Sequence, residues 1–195
     1  MEINKLTVGP VATNVYIARK DNEVIIVDPG AEFARIDALI KPSDHILGIL
    51  LTHGHFDHIG AVNELVNKYD IPIFAPEKEE RLIVNPKLSF YDGIPIANIN
   101  YINDGFTLGN FNIKMYETPG HTFGSVTYEI DDVLFTGDTL LNLNVGRQDL
   151  PTGSEEDMKK SIEFFKTFTT DYKIRAGHGN DSTLFYQFER NPYFK

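Results

Sequence analysis

The sequence predicts a mixed α/β fold, two strand-rich halves stacked as sheets with helices outside them, and three observations predict it. Short β-branched runs bounded by turn residues recur from the start of the chain, at 15–18, 24–27 and 46–52. A stretch of helical period separates the third run from another at 71–75, which is the pattern of a β-α-β unit. The second half repeats this style without repeating the sequence, and no linker or low-complexity segment divides the two, so the chain reads as one domain over 1–195.

Each element has a local reason. Asp21-Asn22 turns the first run into the second, and Asp28-Pro29-Gly30 ends the second. From 60 to 69, Val62, Leu65, Val66 and Tyr69 share one helical face. Pro76 opens a second helix over 77–84, since proline is tolerated in the first turn. Residues 85–104, with Pro86, Gly93 and Pro95, read as the longest loop. Strands follow at 111–117, 125–130 and 133–136, the last two joined by Asp131-Asp132. Ser154 with Asp157 resembles a capping box, and Met158, Ile162, Phe165 and Phe168 continue at helical spacing. A final strand at 172–176 leads into Gly177-His178-Gly179.

Composition excludes several function classes. The chain has 28 acidic and 18 basic residues and a formal charge of −10, which repels phosphate backbones, and no basic stretch is interleaved with aromatics, so nucleic acid is not an expected partner. It has no cysteine, which removes disulfides, thiolate metal sites and a cysteine nucleophile; any metal must use nitrogen and oxygen donors. No apolar run reaches the roughly 20 residues that span a bilayer, and the N-terminus has no secretory pattern, so the expectation is a cytoplasmic protein without a membrane partner.

Six histidines occur, and five follow a strand or turn: His53, His55, His58, His121 and His178. Three of the six fall within six residues, His53-Gly54-His55-Phe56-Asp57-His58, which a solvated polar loop explains poorly. At i and i+2 in extended chain, His53 and His55 point the same way and reach one ion, while Asp57 and His58, at a helix entrance, face differently and suit a second. Taken alone, His121, His178 and Asp138 say little; their weight comes from the cluster. His45 matches no pattern and is expected at the surface.

Thr52-His53-Gly54-His55-Phe56-Asp57-His58 resembles the T-H-x-H-x-D-H signature of metallo-β-lactamase-fold hydrolases, and Gly120-His121, Gly137-Asp138 and Gly177-His178-Gly179 follow in that family's order. Thr13-Asn14-Val15-Tyr16, Asp28-Pro29-Gly30 and Asn191-Pro192 extend the likeness over nearly the whole chain, and Gly146-Arg147-Gln148-Asp149 after Gly137-Asp138-Thr139-Leu140 is similar to the small glyoxalase II-like branch. The resemblance implies an αββα sandwich with its metal site at one edge between the sheets. It implies His53, His55 and His121 on one metal, Asp57, His58 and His178 on the other, and Asp138 with a bridging hydroxide between them, Asp57 and Asp138 being the catalytic carboxylates. Imidazole and carboxylate suit two zinc ions and also admit iron or manganese.

Such a centre implies hydrolysis of a carbonyl substrate, first of all a thioester such as an S-acylglutathione, with a lactone or another carbonyl compound as alternatives. Full glyoxalase II carries a C-terminal helical domain that supplies much of its glutathione site, whereas few residues follow His178 here, so specificity is expected from 85–104, 142–153 or a partner subunit in a homo-oligomer. Arg147 either holds a substrate carboxylate or thiolate or pairs with Asp149, and Tyr91 either lines the site or packs. Ser182-Thr183 is expected to support His178. The family also includes mononuclear iron persulfide dioxygenases, which the sequence leaves open. A non-catalytic metal-binding module is disfavoured by seven ligands, and β-lactam hydrolysis is not expected for want of an export signal.

Overall fold

In the computed structural model, which describes residues 1–195, the first half of the chain builds one six-stranded sheet from β1 (Glu2–Val8), β2 (Thr13–Lys20), β3 (Glu23–Val27), β4 (His45–Leu50), β5 (Ile73–Pro76) and β6 (Ile99–Ile102) in that spatial order. β1 to β3 are antiparallel, and β3 to β6 are parallel. The second sheet uses β7 (Phe106–Leu108), β8 (Phe111–Glu117), β9 (Val126–Ile130) and β10 (Val133–Gly137); a small hairpin of β11 (Leu140–Leu141) and β12 (Asn144–Val145) follows, and β13 (Lys173–Ala176) and β14 (Ser182–Thr183) complete the sheet beside β10.

Strand periodicity explains why the two sheets face each other. In β2, Val15 and Ile17 belong to one apolar cluster while Tyr16 and Ala18 belong to another; in β3, Val24 and Ile26 divide from Ile25 and Val27 in the same way. Alternate side chains leave opposite faces of a strand, so a run buried on both faces reads as continuously apolar. The middle cluster, with Leu50, Phe111, Tyr128 and Phe135, fills the space between the sheets. The outer face of the first sheet is covered by α1 (Phe33–Asp37), α2 (Phe56–Ile59) and α3 (Val62–Tyr69), with α4 (Glu80–Ile83) and α5 (Pro86–Ser89) further on; α6 (Glu155–Phe165) and α7 (Leu184–Arg190) cover the second. The layers are αββα, and no helix is long and apolar enough to cross a membrane.

The structure also departs from the sequence reading. β1 lies at a half-exposed edge, and the consecutive polar Asn4-Lys5 break its alternation of polar and apolar residues, which hides it among loop residues. Residues 85–104 contain α5, capped by the Asn85 side chain accepting from the Lys87 N–H, and β6, so that stretch is not all loop. The helix over 77–84 divides into a 3-10 turn, Glu77–Glu79, and α4. Ser154 Oγ does accept from the Asp157 N–H, at 3.1 Å, but α6 stops before Phe168, which still packs on the same cluster.

Candidate metal centre

The seven singled-out residues converge where the strand ends of both sheets meet. His53 and His55 lie just past β4, and His55 precedes α2, which carries Asp57 and His58. His121 sits between β8 and β9, Asp138 follows β10, and His178 follows β13. Loops beyond strand ends are positioned by a rigid scaffold, and here six elements point their ends at one place. The loop carrying His178 is gripped from the other sheet. The Asn14 N–H donates to Gly177 O at 2.6 Å, Asn14 Nδ2 donates to the carbonyls of Ala176 and Gly179, and Tyr16 OH donates to Ala176 O at 2.7 Å.

Donor atoms within mutual reach form three groups: His53 with His55 and His121, Asp57 with His58 and His178, and Asp28 with His53 and His58, where the Asp28 carboxylate is already engaged by Thr52 and by His58 Nδ1. Asp138 stands between the first two: its carboxylate is 3.6 Å from His121 Nε2 on one side and 3.5 and 3.3 Å from the Nε2 atoms of His58 and His178 on the other. The outward nitrogens are taken by protein acceptors. His53 Nδ1 meets Thr52 Oγ1 at 3.1 Å, His58 Nδ1 meets Asp28 Oδ2 at 2.9 Å, and His121 Nδ1 meets Arg147 O at 2.8 Å. At His53 and His121 a proton held there leaves the inner Nε2 lone pair bare, which is the arrangement metal-binding imidazoles use. His55 is turned the other way, its Nδ1 2.9 Å from His121 Nε2. The Nε2 atoms of His53, His55 and His58, and Asp138 Oδ1, are buried with no hydrogen-bond partner. Buried polar atoms without partners are rare, and several imidazole nitrogens and a carboxylate oxygen left so at one point suit coordination of a cation. The donor set is therefore a His/Asp metal site.

Its electrostatics differ from side to side. Burial, with the neighbouring imidazoles adding to it, holds His53 well below the ordinary histidine range and His55 down at about 3. Burial acts the same way on His58 and His178 but is overcome there: the carboxylates of Asp57, Asp138 and Asp28 raise His58, and hydrogen bonds to Asp138 and Asp57 push His178 up to about 10. Burial raises Asp57 and Asp138, yet His58 and His178 together bring both below the usual carboxylate range.

The centre opens on a cavity of about 360 Å³ bounded by Val11, Phe56, Phe90 and Leu150, continuous past Arg147 with a more polar space reaching Asn144, Gln148 and Tyr193. Arg147 faces both spaces, and its guanidinium forms a two-pronged pair with Asp149, at 2.7 Å for each contact, on the exposed rim. Tyr91 does not line the cavity; it packs against the core of the first sheet, while Phe90, in left-handed backbone at the end of α5, faces the opening. Ser182 and Thr183 do not touch His178: Thr183 caps α7 and Ser182 accepts from Gln187. His45 is exposed, as expected. Asp28, Thr13 and Glu79 were not assigned roles from sequence, although Thr13 and Asp28 lie in the stretches that carry the family likeness. Thr13 Oγ1 donates to Asp57 Oδ2 at 2.7 Å.

Comparison with known proteins agrees with the fold. The sequence profile of the Metallo-beta-lactamase superfamily matches residues 8–178, and the chain belongs to that family. The probable metallo-hydrolase YqgX of Bacillus subtilis (strain 168) is 34% identical over 205 aligned positions, 99% of this chain and 97% of that one. A hydroxyacylglutathione hydrolase of Shewanella pealeana is 33% identical over 157 positions, 80% of this chain and 55% of that enzyme. Among solved structures, the BLEG-1 B3 metallo-beta-lactamase superposes over 100% of both chains with a TM-score of 0.90 and 31% identity. TTHA1623 in a di-iron-bound form covers 97% of this chain and 99% of that one, with a TM-score of 0.88 and 29% identity.

Proposed function

We propose that this protein is a dinuclear metal-dependent hydrolase that cleaves an acyl thioester of the S-acylglutathione class, acting in the cytoplasm on a small molecule. The observation that carries the reading is Asp138, set between two complete triads of donors. A site built for a single structural ion needs four ligands and is closed, whereas here seven donors converge and five of them, His55, Asp57, His121, Asp138 and His178, line a cavity. The names of similar proteins, a probable metallo-hydrolase and a hydroxyacylglutathione hydrolase, support the reaction class.

His53, His55 and His121 would hold one divalent cation, Asp57, His58 and His178 the other, with Asp138 shared; zinc suits these donors, and iron and manganese also fit. Bound there, the pair of cations would lower the pKa of water to near neutrality and polarise the carbonyl under attack. Asp57 Oδ2 is engaged by Thr13 Oγ1 and His178, which would leave Oδ1 to accept a hydrogen bond from the attacking water and orient it. Val11, Phe56, Phe90 and Leu150 exclude water on one side and pack the acyl chain. Arg147, on the polar side, offers its guanidinium to an anionic leaving group, exchanging Asp149 for the substrate.

The test is to count the metal carried by the protein as purified, then strip it with a chelator, reload separate samples with zinc and with iron(II), and assay acyl thioesters, lactones, a β-lactam and glutathione persulfide side by side. About two metals per chain with thioester turnover is the expected result. One iron per chain with oxygen uptake on the persulfide would overturn it in favour of a dioxygenase.

A further inference from the structure

Glu79, at the end of the 3-10 turn Glu77–Glu79, is fully buried and pairs with no cationic side chain. Its carboxylate is nevertheless fully engaged. Oε2 accepts from the Gly54 N–H at 2.9 Å, and Oε1 accepts from the Gly124 N–H at 2.9 Å and from Thr122 Oγ1 at 2.8 Å. Gly54 lies between His53 and His55, and Thr122 follows His121. One carboxylate thus ties together the two loops that carry the histidine triad, which belong to different sheets.

Packing points the same way. A Cβ on Gly54 would stand 2.4 Å from Ile83 Cγ1 and 2.8 Å from Leu82 Cδ2, and one on Gly124 would stand 2.5 Å from Glu79 Oε1 and 2.8 Å from the Lys78 carbonyl carbon. The segment from Lys78 to Ile83 is therefore wedged against both loops with no slack. Both glycines are needed for that approach. Burying a carboxylate is costly, and shorter apolar residues would fill a wedge at lower cost. Both loop N–H groups and the hydroxyl can be met at once by an acceptor on each prong, which an amide lacks because one of its prongs is a donor.

The geometry points to Glu79 as the positioning residue of the His53, His55 and His121 cluster: it sets the spacing of the two loops and so the affinity and coordination geometry of that half of the centre alone. This rests on the reading of those histidines as metal ligands given above.

The test uses the full chain stripped of metal and titrated with Co²⁺ against a chromophoric chelator, reading affinity, the visible spectrum of the bound cobalt, and thermal melting. His178→Ala leaves the histidine triad as the complete cluster, and His121→Ala leaves the other. Glu79→Gln is expected to weaken cobalt binding on the order of 10- to 100-fold and to shift its spectrum in the His178→Ala background, with a change within about twofold in the His121→Ala background. A purely structural role would lower both alike, and equal loss in both or loss in neither overturns the inference. If Glu79→Gln does not fold, Thr122→Val decides in the same backgrounds: roughly fivefold weakening confined to the triad, the worth of one hydrogen bond, supports the inference, and no loss or an even loss overturns it. A wild-type chain that takes up no cobalt overturns the metal reading and this inference with it. Two bound cobalt ions with an indifferent Glu79→Gln overturn the inference alone.

Discussion

His53, His55 and His121 form an all-imidazole cluster that burial and mutual repulsion keep from taking up protons at the first two members, while Asp57, His58 and His178 form a mixed cluster in which carboxylates hold protons on both imidazoles. The first is held by a carboxylate behind the loops, through backbone N–H groups. The second is held by side chains directly on its donors, Asp28 on His58 and Thr13 on Asp57. The difference teaches that two neighbouring sites can be prepared for a cation in opposite ways. One already offers bare lone pairs and depends on spacing; the other is an ion-pair network whose protons a cation must replace.

Removing what the two share should have the largest effect. Asp138→Ala is expected to abolish turnover and to weaken both metals together, by more than the roughly 100-fold that loss of an outer partner costs, as read by metal titration and initial rates. Loss at one cluster alone would break the comparison.

Acidity should sharpen it. Displacing the protons that carboxylates hold on His58 and His178 makes cation affinity of the mixed cluster rise with pH toward about 10, by about tenfold per pH unit for the His178 proton and more steeply where His58 also gives one up, whereas His53 and His55 have no proton to displace; competition titrations on His121→Ala and His178→Ala chains check this. The metal-free fold carries the matching signature. His178 is raised from 6.5 to about 10, so the stability its ion pairs contribute is complete below about pH 6.5 and is lost as pH climbs toward about 10. Asp57 and Asp138, lowered, contribute above the ordinary carboxylate range and lose that contribution on acidification. Melting scans of the stripped protein should show the alkaline fall, and metal should remove it.

The smallest effect expected is from Thr13→Val, which deletes the hydroxyl on Asp57 and keeps the side-chain shape. Binding at the mixed cluster should weaken about fivefold, with no change at the other, by the same cobalt titration.

Most of the site was legible because His53 to His58 compress four donors into six residues after an apolar run, and His121, Asp138 and His178 each sit beside a glycine at a strand end. The layers were legible where strands are buried on both faces, as in β2 and β3, and illegible at β1, where the polar pair Asn4-Lys5 breaks the strand period. Glu79 escaped notice because it stands in the charged run Glu77-Lys78-Glu79-Glu80, where a solvated helix is the ordinary reading; no local pattern reveals which one carboxylate turns inward. The wall residue came out as Tyr91 instead of Phe90 because left-handed backbone at Phe90, with φ of 57°, reverses which neighbour faces the opening. Ser182-Thr183 lies close to His178 in sequence, yet the chain turns there to start a helix, and the hydroxyls serve that start.

The grip of Asn14 and Tyr16 on the Ala176 carbonyl spans 162 and 160 positions of chain. In chain order six of the donors precede the seventh, His178, and β2, the strand that clasps the last loop, precedes them all. Contacts of such separation form late. On the proposed reading of these residues as ligands, a chain lacking its last loop is expected to hold cations weakly and the finished molecule to retain them.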